Sequence, residues 1–326
     1  MNMFRLGSFL LFLLLFAGAV HAQTSDPLPP EVKAGIQKLP RLQLLGMVDV
    51  PAFQKSIAST KSDSAVETGT ASVPKPKAII HGTLRAFLND FSNLDDPDFK
   101  AILGPTHHLE RIVFLGDMTK KASENQEICF FTGEFQPGVP PSACVAAMKS
   151  VSGKEYRLIR SGPSGSEGGG KDDLVAVAWM SARTVCFGDE LLVRAVLSEE
   201  SSNSVATANE DLIQGLDRVG GFVRFAGRFR EIAGPEAPQF AGFERMFLGV
   251  DEQEGSFRLS GFIQSDNLEA AEKVYSRFNI FSKTRTDNAL GEGFRQILSV
   301  TEITREGVET RFRLSEDALL EVIKMM

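Results

Sequence analysis

Residues 109–117, LERIVFLGD, return in altered form as residues 243–251, FERMFLGVD, with the Glu-Arg pair and the final Asp retained. An apolar run this short, bounded by polar and Gly residues, reads as a buried β-strand. The next strand-like run repeats as well. Residues 129–136, CFFTGEFQ, match residues 257–264, FRLSGFIQ, in a Gly and a Gln. Each second strand leads into a stretch with helical spacing, SACVAAMKSV (142–151) and DNLEAAEKVYSRF (266–278). In the latter, Leu268, Ala271, Val274, Tyr275 and Phe278 fall on one face, and Asp266 with Glu269 forms a capping box.

The ends of the two stretches agree too. VCFGDELLVRAVL (185–197) and RFRLSEDALLEVIK (311–324) are each a strand, two acidic residues and an apolar helix. The openings LQLLGMVDV (42–50) and GGFVRFAGRF (220–229) correspond as strands. The expected fold is therefore α+β: tandem β-α-β-β-α repeats, antiparallel sheets with helices packed on one face. Glu110 is expected to pair with Glu244, and Gly133 with Gly261. The first repeat spans residues 39–200 and the second residues 201–326. A Ser/Thr/Pro-rich flexible insertion lies at 59–77 and a flexible loop at 162–172.

The units resemble split β-α-β, ferredoxin-like sandwiches. With Val48-Asp49-Val50 and Gly133-Glu134-Phe135 as strand motifs behind an export signal, the chain resembles a family of uncharacterised exported bacterial proteins with duplicated ferredoxin-like units. That resemblance implies no catalytic residues, no cofactor and no nucleic-acid requirement.

The first residues, MNMFRLGSFLLFLLLFAGAVHA, combine Arg5, an apolar run from Phe9 to Val20 and a Val-His-Ala cleavage site. They are expected to be a signal peptide over 1–22 and to direct the chain to the periplasm or beyond. DPLPP makes residues 23–38 an expected extended lead-in. The formal net charge of −7 argues against a general binder of nucleic acid or anionic membrane. Three cysteines leave at least one thiol unpaired. Cys144 has core spacing, while Cys129 and Cys186 lie in strand-like runs. Those two are either a disulfide or inert buried thiols, according to whether their Cα atoms come within about 7 Å.

Several motifs invite chemistry and fail on context. Gly165, Gly170 and Lys171 satisfy G-x-x-x-x-G-K, but Asp172 stands where a phosphate loop needs Ser or Thr, and a β-rich run comes next instead of a helix. His107 and His108, adjacent in sequence, would point to opposite sides of a strand. Asp90, Asp95, Asp96 and Asp98 lack the alternation of a calcium loop, and Asp96-Pro97-Asp98 suits a helix start. Ser164 misses the nucleophile-elbow pattern. No catalytic residue, metal ligand or cofactor is assigned.

Arginines form the remaining pattern. Alternation in GFVRFAGRFR sets Val223, Phe225 and Phe229 on one side, and Arg224, Arg228 and Arg230 on the other. Arg258, Arg311 and Arg313 alternate likewise in their strands. Arg224, Arg228, Arg258, Arg311 and Arg313 are thus a candidate anion- or partner-binding face, on the sheet side opposite the helices. The competing reading is a solvated face balanced by Glu302 and Glu309. The function expected is that of an exported, non-catalytic binding protein of the cell envelope, its partner another envelope protein or an anionic ligand. The alternatives are a hydrolase with dispersed acid–base residues, or a carrier of an apolar ligand.

Overall fold

The structure, a computed structural model, describes residues 27–55, 108–117, 126–135, 145–160, 174–199, 208–233, 242–253, 256–283 and 301–315, together with residues 295, 298 and 299. The signal segment, the 59–77 insertion, Cys144, His107, the four-aspartate cluster, the 162–172 loop and the expected C-terminal helix lie outside them. The described elements are α1 (Pro30–Ile36), β1 (Leu44–Asp49), β2 (His108–Gly116), β3 (Glu127–Glu134), β4 (Val145–Val151), β5 (Lys154–Arg160), β6 (Leu174–Ser181), β7 (Thr184–Gly188) and α2 (Glu190–Leu197). They continue with α3 (Glu210–Arg218), β8 (Val223–Gly227), α4 (Phe229–Ala233), β9 (Arg245–Gln253), β10 (Ser256–Gln264), α5 (Leu268–Phe281), β11 (Glu302–Glu306) and β12 (Glu309–Leu314).

This is a mixed α+β chain organised by one large antiparallel sheet. Twelve strands run in the order β11-β12-β10-β9-β8-β1-β2-β3-β7-β6-β5-β4. β1 and β8 lie at the centre and pair with each other, Leu44 opposite Gly227 and Val48 opposite Val223. β4 and β11 are the two ends of the described sheet.

One sheet face is covered by α1, α2 and α3. Val32 and Ile36, Leu192 and Val196, and Leu212, Ile213 and Leu216 join Met47, Val113, Phe130, Ala178, Ala226, Phe247 and Phe262 in one buried cluster. The opposite face is apolar as well. There the rings of Phe229, Phe243, Phe278 and Phe312 succeed one another with centroids 5.7, 5.7 and 5.4 Å apart, which places α5 on that side. Helices therefore lie on both faces, not on one as expected. The cause is legible in β12, where Phe312 and Leu314 are buried on the face that Phe262 does not use.

Four local expectations are corrected. Residues 30–36 are a helix and not extended, because Pro30 stands where proline favours a helix start. So short a helix is unstable alone. Burial of Val32 and Ile36, at about 1.5–3 kcal/mol each, supplies what propensity does not. Residues 145–151 are strand β4, paired with β5 through a turn at Ser152 and Gly153 with φ of 49° and 73°. Both values are positive, as a tight hairpin turn requires. The helix at 268–281 is capped by Asn267, whose side chain accepts from the Ala270 amide at 2.9 Å, and not by Asp266. The strand at 223–227 ends before Arg228, and Phe229 begins a helix.

The expected match of Gly133 with Gly261 is not carried by the ladders. Arg111 faces Thr132 and Arg245 faces Gln264, so laying Glu110 on Glu244 brings Thr132 onto Gln264 rather than Ser260. The difference is an even number of residues, and each side chain keeps its face.

Close packing under the helices is tightest at Gly215. A Cβ there would lie 1.7 Å from Cε1 of Phe247, whereas one at Gly35 of α1 would lie 3.0 Å from Cε1 of Phe130. Alanine improves helix propensity by about 1 kcal/mol, but overpacking a filled core costs about 1–3 kcal/mol. Gly215→Ala is expected to lower stability by about 1–2 kcal/mol in urea unfolding, with Gly35→Ala milder. A more stable Gly215→Ala protein would contradict this packing.

Candidate functional site

The five expected arginines do share one sheet face, but it is the face under the helices. Arg224 pairs across the sheet with Met47 on one side and Gly249 on the other. Its Nη2 lies 3.4 Å from the Met47 Sδ. Arg224 and Arg228 are each 1% exposed. Neither belongs to a solvated face, because α3 lies across this side and brings Asp217 within the field of Arg224. Burial pushes the Asp217 carboxyl up, and the charges of Arg224 and Lys33 oppose that.

Arg228 is the best-bound side chain of the region. It donates to Asp211 through Nε and Nη2, to the Leu42 carbonyl through Nη1, and to the Ala208 carbonyl at 2.5 Å. Asp211 also meets Arg245 at 2.8 Å. Asn209 accepts from the Leu42 amide at 3.0 Å and donates to the Pro40 carbonyl at 2.9 Å. Burial pulls the Arg228 pKa down from its ordinary value, opposed by the hydrogen bond and charge of Asp211. A charge this buried is tolerated only when paired and hydrogen-bonded. The group ties the start of α3 to the entry of β1, and its role is structural.

The other arginines are compensated where they stand. Arg311 contacts Glu309 at 2.9 Å and Glu306 at 3.1 Å, and Arg313 contacts Glu302 at 3.6 Å. Arg218 reaches Glu309 at 2.5 Å and lies 4.4 Å from the centroid of the Phe262 ring. Arg258 stands opposite Asp251 in the β9–β10 ladder. Arg230, beyond the strand, contacts Asp266 at 3.2 Å and Glu244 at 3.5 Å. The balancing by Glu302 and Glu309 is thus in place.

Cys129 and Cys186 are buried free thiols. β3 and β7 are neighbours, but Cys186 faces Phe130, so Cys129 points to the opposite side of the sheet. No bridge forms between them. Burial raises both thiols, Cys186 to about 12 and Cys129 well above its ordinary value. His108 opens β2 opposite Glu134. Among the described residues, no three His, Cys, Asp or Glu side chains gather as a metal site. None of the described helices is long and apolar enough to cross a membrane.

Sequence reasoning missed the β4–β5 hairpin and what it carries. The signal was present, since Ser152-Gly153 separates two runs of strand length. The Met148 side chain stands on β4, 59% exposed. Its cross-strand neighbour Arg157 lies over Trp179 of β6, with the guanidinium carbon 5.3 Å from the ring centroid. Nη1 of Arg157 and Nε1 of Trp179 are buried and meet no acceptor. On the other face of the hairpin, Lys149 and Tyr156 both donate to Glu190 of α2, at 2.9 and 2.7 Å.

No protein-family model matches the chain, and no curated protein matches it. Among solved structures the chain is similar to TP0453. Crystal form I of that protein has 8% identity and a TM-score of 0.39, covering 89% of this chain and 96% of that one. Crystal form III has 11% identity and a TM-score of 0.38, covering 93% and 99%.

Glu127, at the start of β3 on the face of Cys129, is pushed up to about 7 by burial. From its ordinary 4.5 up to about 7 the unfolded chain ionises there while the folded chain keeps its proton. Stability therefore falls as pH rises through that window and levels above it. Glu127→Gln is expected to remove about 1–2 kcal/mol of this fall, measured as urea midpoints at pH 5 and pH 8. An unchanged pH slope in the variant would contradict the assignment.

Proposed function

We propose that the chain is an exported, non-catalytic binding protein of the cell envelope, built from two copies of one α+β unit, with an elaborated edge in its first half as the contact surface. Outward from the central pair, the strands run β1-β2-β3-β7-β6 in one direction and β8-β9-β10-β12-β11 in the other. This matching order supports duplication. Each half opens with a helix, a central strand and a helical segment, at 50–55 in the first half and at α4 in the second. The opening helices also agree in what they bury. Val32, Gly35, Ile36 and Leu39 fall on Leu212, Gly215, Leu216 and Val219.

Against that common plan the described parts of the two halves differ between β3 and β7 on one side and β10 and β12 on the other. Between its third and fourth strands in sheet order, the second half inserts α5, whereas the first half inserts the hairpin β4–β5. The hairpin extends the sheet and, among the described residues, ends it on a strand with an exposed methionine. A sheet edge offers a row of backbone donors and acceptors to another chain. That edge, with Met148 on it, is the observation that carries the reading.

The arginine face is a weaker basis for an anionic ligand. Two of its five members are consumed in the interior, and glutamates balance Arg311 and Arg313. Glu127, with a pKa near neutrality, is what a hydrolase reading would rest on.

A photo-crosslinking residue at position 148 is expected to capture a species of discrete mass from native envelope extract. The same residue at position 280 of α5, which is also exposed, is expected not to. Equal capture at both positions, or none at 148 in a folded protein, would overturn the proposed surface.

A further inference from the structure

We infer that Met148 is a site of oxidation by hydrogen peroxide, and that the sulfoxide oxygen formed there accepts a hydrogen bond from Arg157. The inference concerns the residue offered above as a contact, but it needs no partner and does not rest on the proposed binding function.

Access to the sulfur is the first argument. Met47 in β1 and Met246 in β9 are buried, and Arg224 Nη2 also lies 3.4 Å from the Met47 Sδ. Met180 of β6 is half-buried and packed against the cluster under the helices. Met148 alone among the described methionines is largely open to solvent, at 59%. Susceptibility to oxidation follows exposure. In the reaction a lone pair on Sδ attacks one oxygen of the peroxide. The O–O bond breaks, the S–O bond of the sulfoxide forms, and the second oxygen leaves as water with both protons. Sulfur is oxidised by two electrons and the peroxide is reduced by two.

The second argument is what awaits the product. Met148 and Arg157 stand directly opposite each other in the β4–β5 ladder and so share a face, with Cβ atoms about 5 Å apart. Nη1 of Arg157 is buried and has no acceptor. The Trp179 ring attracts the guanidinium charge but offers that N–H no oxygen. Glu190 cannot serve Arg157, because it lies on the other side of the hairpin, where it accepts from Lys149 and Tyr156. A thioether sulfur is a weak acceptor. The sulfoxide is polar, and three rotatable bonds let it swing toward the guanidinium. Oxidation of a methionine ordinarily disrupts its surroundings. At this position it supplies an oxygen to a buried donor that lacks one, and the change is felt at Trp179 through the stacked Arg157.

The test exposes the full folded chain to dilute hydrogen peroxide. Oxidation at each methionine is followed by peptide mass mapping, together with emission from Trp179, the sole tryptophan. Met148 is expected to gain one oxygen at least tenfold faster than Met47, Met180 and Met246, with a shift in emission that develops at the same rate. Met148→Leu is expected to remove that shift. Met148→Gln, which brings an amide oxygen to this exposed position, is expected to shift the emission the same way without peroxide. Arg157→Leu is expected to leave oxidation at 148 unchanged in rate and to abolish the shift. Oxidation of Met148 no faster than that of the buried methionines overturns the site. A shift that survives Arg157→Leu, or no shift in either the oxidised protein or Met148→Gln, overturns the hydrogen bond to Arg157. If crosslinking at position 148 fails while these results hold, the binding reading falls and the oxidation site stands.

Discussion

The pairing of β1 with β8 is the constraint on which the rest of the molecule depends. Both strands are buried on both faces apart from the final Asp49, and neither tolerates an open edge. Pairing them removes two apolar edges at once and turns two half-sheets into one. Such strands pose a difficulty of register. Where one face is polar, a slip by one residue exposes the apolar set, but here both faces are buried and, Arg224 apart, both sets are apolar from Leu44 to Val48 and across β8, so the pattern alone discriminates poorly. Register must come from shape and from polar anchors. Gly46 provides the shape, since a Cβ there would lie 1.9 Å from the Phe114 ring, whose centroid is 5.5 Å from that of Phe225. Arg228 provides the anchor, its amide donating to the Gln43 carbonyl at 2.8 Å and its side chain to the Leu42 carbonyl.

The same constraint explains the distribution of charge. An arginine at the central seam is costly to bury, several kcal/mol before compensation. Arg228 is held by Asp211, which is presented by the first turn of α3. The helix that buries the apolar cluster therefore also neutralises the seam. Farther out, on β12, burial relaxes and the arginines pair with glutamates on their own and the adjacent strand. Exposed pairs of that kind contribute about 0–1 kcal/mol each. On one sheet face, arginine passes from an interior clamp to ordinary surface compensation.

How far the sequence discloses this depends on which forces act locally. The strands at 109–117, 129–136, 243–251 and 257–264 are legible because apolar runs between polar boundaries suit buried strands. The alternation of Arg224 with Val223 and Phe225 is legible too, and it places the arginines on one face correctly. That α3 covers this face is a tertiary fact; without it, alternating arginine reads as solvent exposure. Residues 145–151 mislead because Ala, Met and Lys favour helices, while pairing with β5 decides the outcome. Cys129 and Cys186 lie on neighbouring strands, and only the register, with Phe130 opposite Cys186, separates them.

The central claim is that the β1–β8 seam joins the halves into one cooperative sheet. Native-state hydrogen exchange at Met47, Val48, Phe225 and Ala226 tests it most directly, compared with Val113 and Phe130 in the first half and Phe247 and Phe262 in the second. The account predicts that the protected seam amides exchange with the same free energy and urea dependence as those of both halves, opening only in global unfolding. Seam amides that open at markedly lower free energy while both halves stay protected would contradict it.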